Sequence, residues 1–146
     1  MDADMREHWR EVADNLAPYP VWDTPEGPAF CAIRCVEPKH VEGNHFGEAA
    51  HYPMILADEI NLDSPKERRD MMLRTAELLE NSWTTKQIRT LLGVTQESWN
   101  GDAEALLNSR GSRMHLFPAV PSDAEFAFHN FQARGGFLVS AARDAQ

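Results

Sequence analysis

Cys31, Cys35, His40, His45 and His51 are the side chains best suited to metal chemistry, and they lie close together. Thiolate and imidazole are both ordinary zinc ligands. The spacing C-x3-C-x4-H-x4-H nevertheless matches no common zinc pattern, so the cysteines read as small buried hydrophobes, with no metal and no cofactor expected. Four apart on an expected strand, the two thiols face the same side, a poor geometry for a mutual disulfide. A second constellation is the run 84–107, TTKQIRTLLGVTQESWNGDAEALL, which reads as helix, Gly-centred turn, helix. Its second helix would carry Glu97, Asp102 and Glu104 and no cation before Arg110, so it would turn acids toward nucleic-acid phosphate. No G-x-S-x-G elbow and no Gly-rich phosphate loop occurs.

The elements that must position these residues follow from periodicity and punctuation. Residues Asp4 to Leu16 place Trp9, Val12, Ala13 and Leu16 at helical spacing, which predicts an amphipathic helix anchored by Trp9 and stopped by Pro18 and Pro20. Trp22–Pro28 is a loop, and Ala29–Val36 alternates as a strand should. From Glu37 to Glu59 the pattern is irregular: a long loop bearing His40, His45 and His51, ahead of Tyr52-Pro53. Ser64-Pro65-Lys66-Glu67 is a helix start, with Ser64 as N-cap and Glu67 in capping-box position. That helix buries Met71, Met72, Ala76, Leu78 and Leu79 and runs to about Glu80-Asn81. Thr84 or Thr85 opens a shorter helix through Leu92, ended by Gly93. Thr95 opens a last one carrying Trp99, Ala103, Leu106 and Leu107.

The tail is the most structured stretch in sequence terms. Asn108-Ser109-Arg110-Gly111 is a helix stop. Met114 to Phe117 is a short apolar run cut by Pro118 and Pro121, so the chain turns there. Phe126, Phe128 and, after a slip at His129-Asn130, Phe131 mark one face of a strand. Arg134-Gly135-Gly136 is a turn, and Phe137-Leu138-Val139 begins a second strand. The expected fold is α+β: an N-terminal helix, a central strand and long loop, a small helical bundle, then a C-terminal β-hairpin.

Bulk properties narrow the partners. A hydrophobic fraction of 42% suits a packed globular core. A formal charge of −9 disfavours nucleic acid and anionic membrane surfaces. No apolar run approaches membrane-spanning length, and MDADMREHWREV lacks the apolar centre of a secretory signal, so a cytoplasmic location with reduced thiols is expected.

The segments LLNSRGSRMHLFPAVP and FQARGGFLVSA, and HWREVADNLAPYP near the start, resemble fucosidase-like glycoside hydrolases of family ninety-five. In those proteins the last helix of a six-hairpin (α/α) toroid leads through an LFPAVP-type segment into a β-domain. The resemblance implies a partial toroid-like region over 1–112 and the start of a β-domain over 113–146. GNHFGEAAHYPMILADEINLDSP looks like the family's sugar-bordering loop, so His45, His51 and Tyr52 are implied as substrate-binding residues, with Trp99 and Asp102 beside them. Their aromatic and polar faces suit a sugar's alternating apolar and hydroxyl faces. Twelve helices with their loops need on the order of 200 residues, and about four helices are expected here, so the toroid would be strongly shortened. The family inverts, with a carboxylic acid and a carboxylate on opposite sides of the scissile bond. The segments that would supply that pair have no match here, so catalytic residues stay unassigned and sugar binding without independent turnover is the expectation. A shortened toroid also predicts exposed apolar faces near Met71, Leu78 and Trp99, and hence self-association. The alternative is a helix-turn-helix regulator using 84–107.

Overall fold

The computed structural model describes residues 3–34, 47–79, 82–94 and 101–145, and shows an α+β chain. Helix α1, Ala3–Asp14, forms where the periodicity places it, but Trp9 stays 56% exposed and Leu16 71%. Trp9 is therefore no core anchor: Met5, Trp9 and Val12 on the apolar face of α1 all stay exposed.

The next element corrects the reading of Trp22–Pro28 as loop and Ala29–Val36 as strand. Val21–Thr24 (β1) and Gly27–Phe30 (β2) form an antiparallel hairpin, with Thr24 opposite Gly27 and Val21 opposite Phe30. Local hydrogen bonding closes it: the Thr24 hydroxyl accepts from the Glu26 N–H and donates to the Gly27 carbonyl 2.7 Å away. Cys31 ends the pairing by donating its N–H to the Pro20 carbonyl, and its side chain is buried. Cys35, His40 and His45 lie outside the described residues.

A 3-10 turn, Gly47–His51, runs directly into α2, Tyr52–Ile55, where the sequence pattern reads only as loop. Helix α3 spans Lys66–Leu78 and α4 spans Ser82–Leu91. The cap of α3 differs from expectation. Pro65 occupies the N-cap position, while the Ser64 hydroxyl accepts from the Asn61 N–H at 3.0 Å and so orders the preceding turn. Met54, Ile60, Met72, Ile88 and Leu91, all 0% exposed, centre the first apolar cluster. Met71 packs against that cluster and Leu78 is half-buried; Trp99 lies outside the described residues. Exposed apolar side chains sit instead on α1 and, among others, at Ile33, Leu56, Trp83, Leu116, Phe137 and Leu138.

Helix α5 is one turn, Ala103–Leu106, capped by Asp102 in place of the expected Thr95, whose segment lies outside the described residues. Leu107–Asn108 (β3) leaves it and pairs with His115–Leu116 (β4). After Pro118 and Pro121, strand β5, Phe126–Ala133, pairs antiparallel with β6, Phe137–Arg143. The register shifts between Phe128 and Phe131, at the place where the pattern slips, and Asn130 there takes φ 56°. The second apolar cluster joins Ala105, Leu106 and Leu107 to Ala119, Val120, Phe128 and Ala133. Its packing thus draws α5 and β3, from the segment 1–112, onto the tail. Arg143 closes this unit, its guanidinium donating to the Pro121 carbonyl and lying 5.6 Å from the Phe117 ring centroid.

Candidate functional site

The bulge in β5 decides which side chains face outward. Strict alternation would put residues 128, 130, 132 and 134 on one face. One extra residue reverses the phase, so Phe128, half-buried Phe131 and Ala133 all stay with the second cluster. Asn130, Gln132 and Arg134 are thereby exposed, and they line a cleft of about 820 Å³. The opposite wall is the end of α2 and the loop after it, with Ile55, Leu56 and Asp58; Glu104, Leu107, Ser109 and Arg110 complete it.

Charge is arranged in this cleft with care for balance. Arg110 Nε lies 3.2 Å from a Glu104 carboxylate oxygen, and its Nη1 lies 3.8 Å from Asp58 and donates to the Met54 carbonyl at 3.2 Å. Asp58 also faces Arg134, at 2.5 Å. Two carboxylates thus meet two guanidiniums, and the four formal charges cancel. Glu104 accepts from Arg110 Nε, whereas Asp58 Oδ1 faces Arg110 only as an ion pair and has no hydrogen-bond partner among the described residues.

Asp58, Phe117 and Asn130 are the described non-glycine residues with positive φ, and two of the three, Asp58 at 56° and Asn130 at 56°, line this cleft. That backbone region costs an ordinary L-residue about 1–2 kcal/mol and is tolerated best by Asn and Asp. Strained backbone collects at functional sites when surrounding structure holds it in place. Here the Asp58 side chain is held by Arg110 and Arg134, and the Asn130 N–H by the Ser140 hydroxyl at 2.9 Å.

Below the cleft a second polar group fastens the same two segments. Asp63 accepts from the Ser112 N–H at 2.8 Å and from its hydroxyl at 2.9 Å, and it meets His115 Nε2 at 3.0 Å. Partial burial raises the Asp63 pKa, but the Ser112 and His115 hydrogen bonds outweigh it and hold the carboxyl below its ordinary value. Gly111 is needed where these loops touch. Its φ is 80°, and a Cβ there would come within 2.8 Å of Asn61 Oδ1 and Asp63 Oδ2. Because Asp63 bonds both Ser112 and His115, the serine and histidine are not in series as a nucleophile pair.

The residues singled out from the sequence fall elsewhere. His51 is buried at 1% exposure and Tyr52 is 42% exposed; neither lines the cleft. Asp102 accepts from the Glu104 N–H at 3.0 Å as the cap of α5 and borders a smaller hollow of about 170 Å³ with Trp83 and Gln87. His45 and Trp99 lie outside the described residues. Among the described residues no group of three or more His, Cys, Asp or Glu could hold a metal ion. In 84–107 the described part of the second helix is the single turn α5, which passes straight into β3; residues 95–100 lie outside the described residues. No described helix is long and apolar enough to cross a membrane.

Asp58, Glu104, Arg110, Asn130, Gln132 and Arg134 escape the sequence reading. Arg110-Gly111 and Arg134-Gly135 register there only as a stop and a turn. The available signal was the repeated Arg-Gly pair, a strong hydrogen-bond donor set on a backbone that turns tightly. No family model, curated protein or solved structure matches the chain.

Proposed function

We propose that this chain binds a glycan in the cleft between the α2 loop and the β5–β6 hairpin, and that it does not cleave it. The observation that carries the reading is the charge-balanced chain of Glu104, Arg110, Asp58 and Arg134 beside the apolar Ile55, Leu56 and Leu107. Alternating carboxylate acceptors and guanidinium donors suit vicinal hydroxyls, and apolar side chains suit the C–H face of a sugar ring. Zero net charge in the cleft favours a neutral polyhydroxylated ligand over a phosphate. The cleft volume of about 820 Å³ is in the range of ligand sites.

Kinship to the toroid-to-β-domain junction of fucosidase-like glycoside hydrolases is part of this reading. Its support is the order one-turn helix, proline-broken crossing and Gly-turned hairpin, in the segments that carry the resemblance. The catalytic incompleteness rests on the lack of any segment matching the family's pair of catalytic carboxylates. Titration calorimetry against a panel of neutral glycans tests the proposal, with saturable binding by the parent and loss of binding in Glu104→Gln expected. Absence of binding across the panel would end it, and so would robust hydrolysis of aryl α-L-fucosides by the isolated chain.

A further inference from the structure

Within the glycan reading, on which this step rests, we propose that β5 is a track for an extended chain and that the cleft takes three or more linked sugars rather than one. Asn130, Gln132 and Arg134 line it at alternate positions. Strand rise sets the upper limit of their reach: alternate residues of a regular strand stand about 7 Å apart, so 130 to 134, from the bulge to the first residue of the turn, covers at most about 13 Å, longer than one pyranose ring.

These groups are available to a ligand. Among the described residues neither the Asn130 nor the Gln132 side-chain amide makes a hydrogen bond, although Asn130 is fixed through its backbone N–H. Arg134 has Nη1 on Asp58, which orients the guanidinium, while the side chain remains 60% exposed. Across the cleft, Leu56 is 70% exposed, an apolar rest for a ring face. The bulge is what makes the track. Without the extra residue, Gln132 and Arg134 would share the face of Phe128 and be driven into the second cluster. Asn130 is thus a specificity-determining residue whose left-handed backbone serves to keep Gln132 and Arg134 in phase.

Matched series of gluco-, xylo-, manno- and fuco-oligosaccharides of one to five units, titrated against the full chain, test this. In the series that binds, affinity should rise about tenfold or more from one unit to three and then level off, a tenfold step being about 1.4 kcal/mol. Asn130→Gly keeps the left-handed bulge at no steric cost, so it should hold the melting temperature while weakening three-unit binding about tenfold. Gln132→Ala, on the regular part of the strand, should weaken it in the same direction. Equal affinity for one and three units overturns the track, as does parent-like trimer binding by both variants. Binding of no sugar at any length removes the glycan reading itself, and the track with it.

Discussion

The α3–α4 half and its seam with the β3–β4 segment are held together by different physics. In the first, Met72, Ile88 and Leu91 are wholly buried, and their contribution scales with apolar area. The seam depends on reciprocal polar bonds: Arg110 to the Met54 carbonyl, Asp63 to Ser112 and His115, and the buried Asn108 amide to the Leu91 carbonyl at 3.1 Å. Apolar packing tolerates salt and moderate pH change, whereas charge pairs at a partly exposed seam do not. The second apolar cluster stands between these cases. Its Phe128 ring is 4.8 Å from Phe131 and 5.5 Å from Phe117, and the cluster borders the cleft through Leu107, Phe131 and Ala133. The lesson is that a rigid apolar body can carry a site whose walls meet through adjustable polar contacts.

The largest effect should come from the apolar side. Phe128→Ala removes an aromatic that is 7% exposed and should cost about 3–5 kcal/mol, measured by denaturant unfolding, with little salt dependence. A loss under 1 kcal/mol would show that the second cluster is not a true core. At the seam, Asp58→Asn keeps a residue that tolerates φ 56° but removes the charge facing both arginines; it should cost about 1.5–3 kcal/mol. Its deficit should shrink as salt rises, because the parent's exposed Arg134 partner is screened. A deficit unchanged between low and high salt would break the contrast drawn here.

Gly111→Ala should follow, at about 1–2 kcal/mol from the unfavourable φ alone, with crowding against Asn61 and Asp63 added. A neutral outcome in thermal melts would mean that the loops part easily. The Asp63 effect is smaller and confined to acid. Folding lowers the Asp63 pKa, so the unfolded chain takes up the proton first. The stability contributed by Asp63 is present above the ordinary value of 3.8 and is lost as pH falls through the lower folded value. Melting temperatures of parent and Asp63→Asn should therefore converge on acidification; a gap that widens instead would reverse the assignment. Smallest of all is Trp9→Ala, expected within about 0.5 kcal/mol because the ring is mostly in solvent. A large loss there would restore Trp9 as an anchor.

Much of the tail could be read without coordinates. The slip at His129-Asn130 is a bulge, Arg134-Gly135-Gly136 is a turn, and the prolines break the crossing, because each depends on neighbours in sequence. The extent of α3 and the end of α4 were equally legible from their apolar spacing and from Gly93, but α4 starts at Ser82, so Thr84 and Thr85 lie inside it and neither is its cap. Shorter signals misled. Pro25-Glu26 joins two strands where composition reads as loop, and the hydroxyl of Ser64 serves the turn before α3 rather than its cap.

The amino-acid sequence by itself determined α+β character, the bulged hairpin and the helix pair, since periods of two and 3.6 residues state which face is apolar. Only the tertiary structure decided that Asp58 meets Arg110 and Arg134, and that Asp63 meets Ser112 and His115. Those partners lie dozens of residues apart on loops whose composition carries no period. A charge on such a loop finds its partner only after the apolar clusters have brought the loops together.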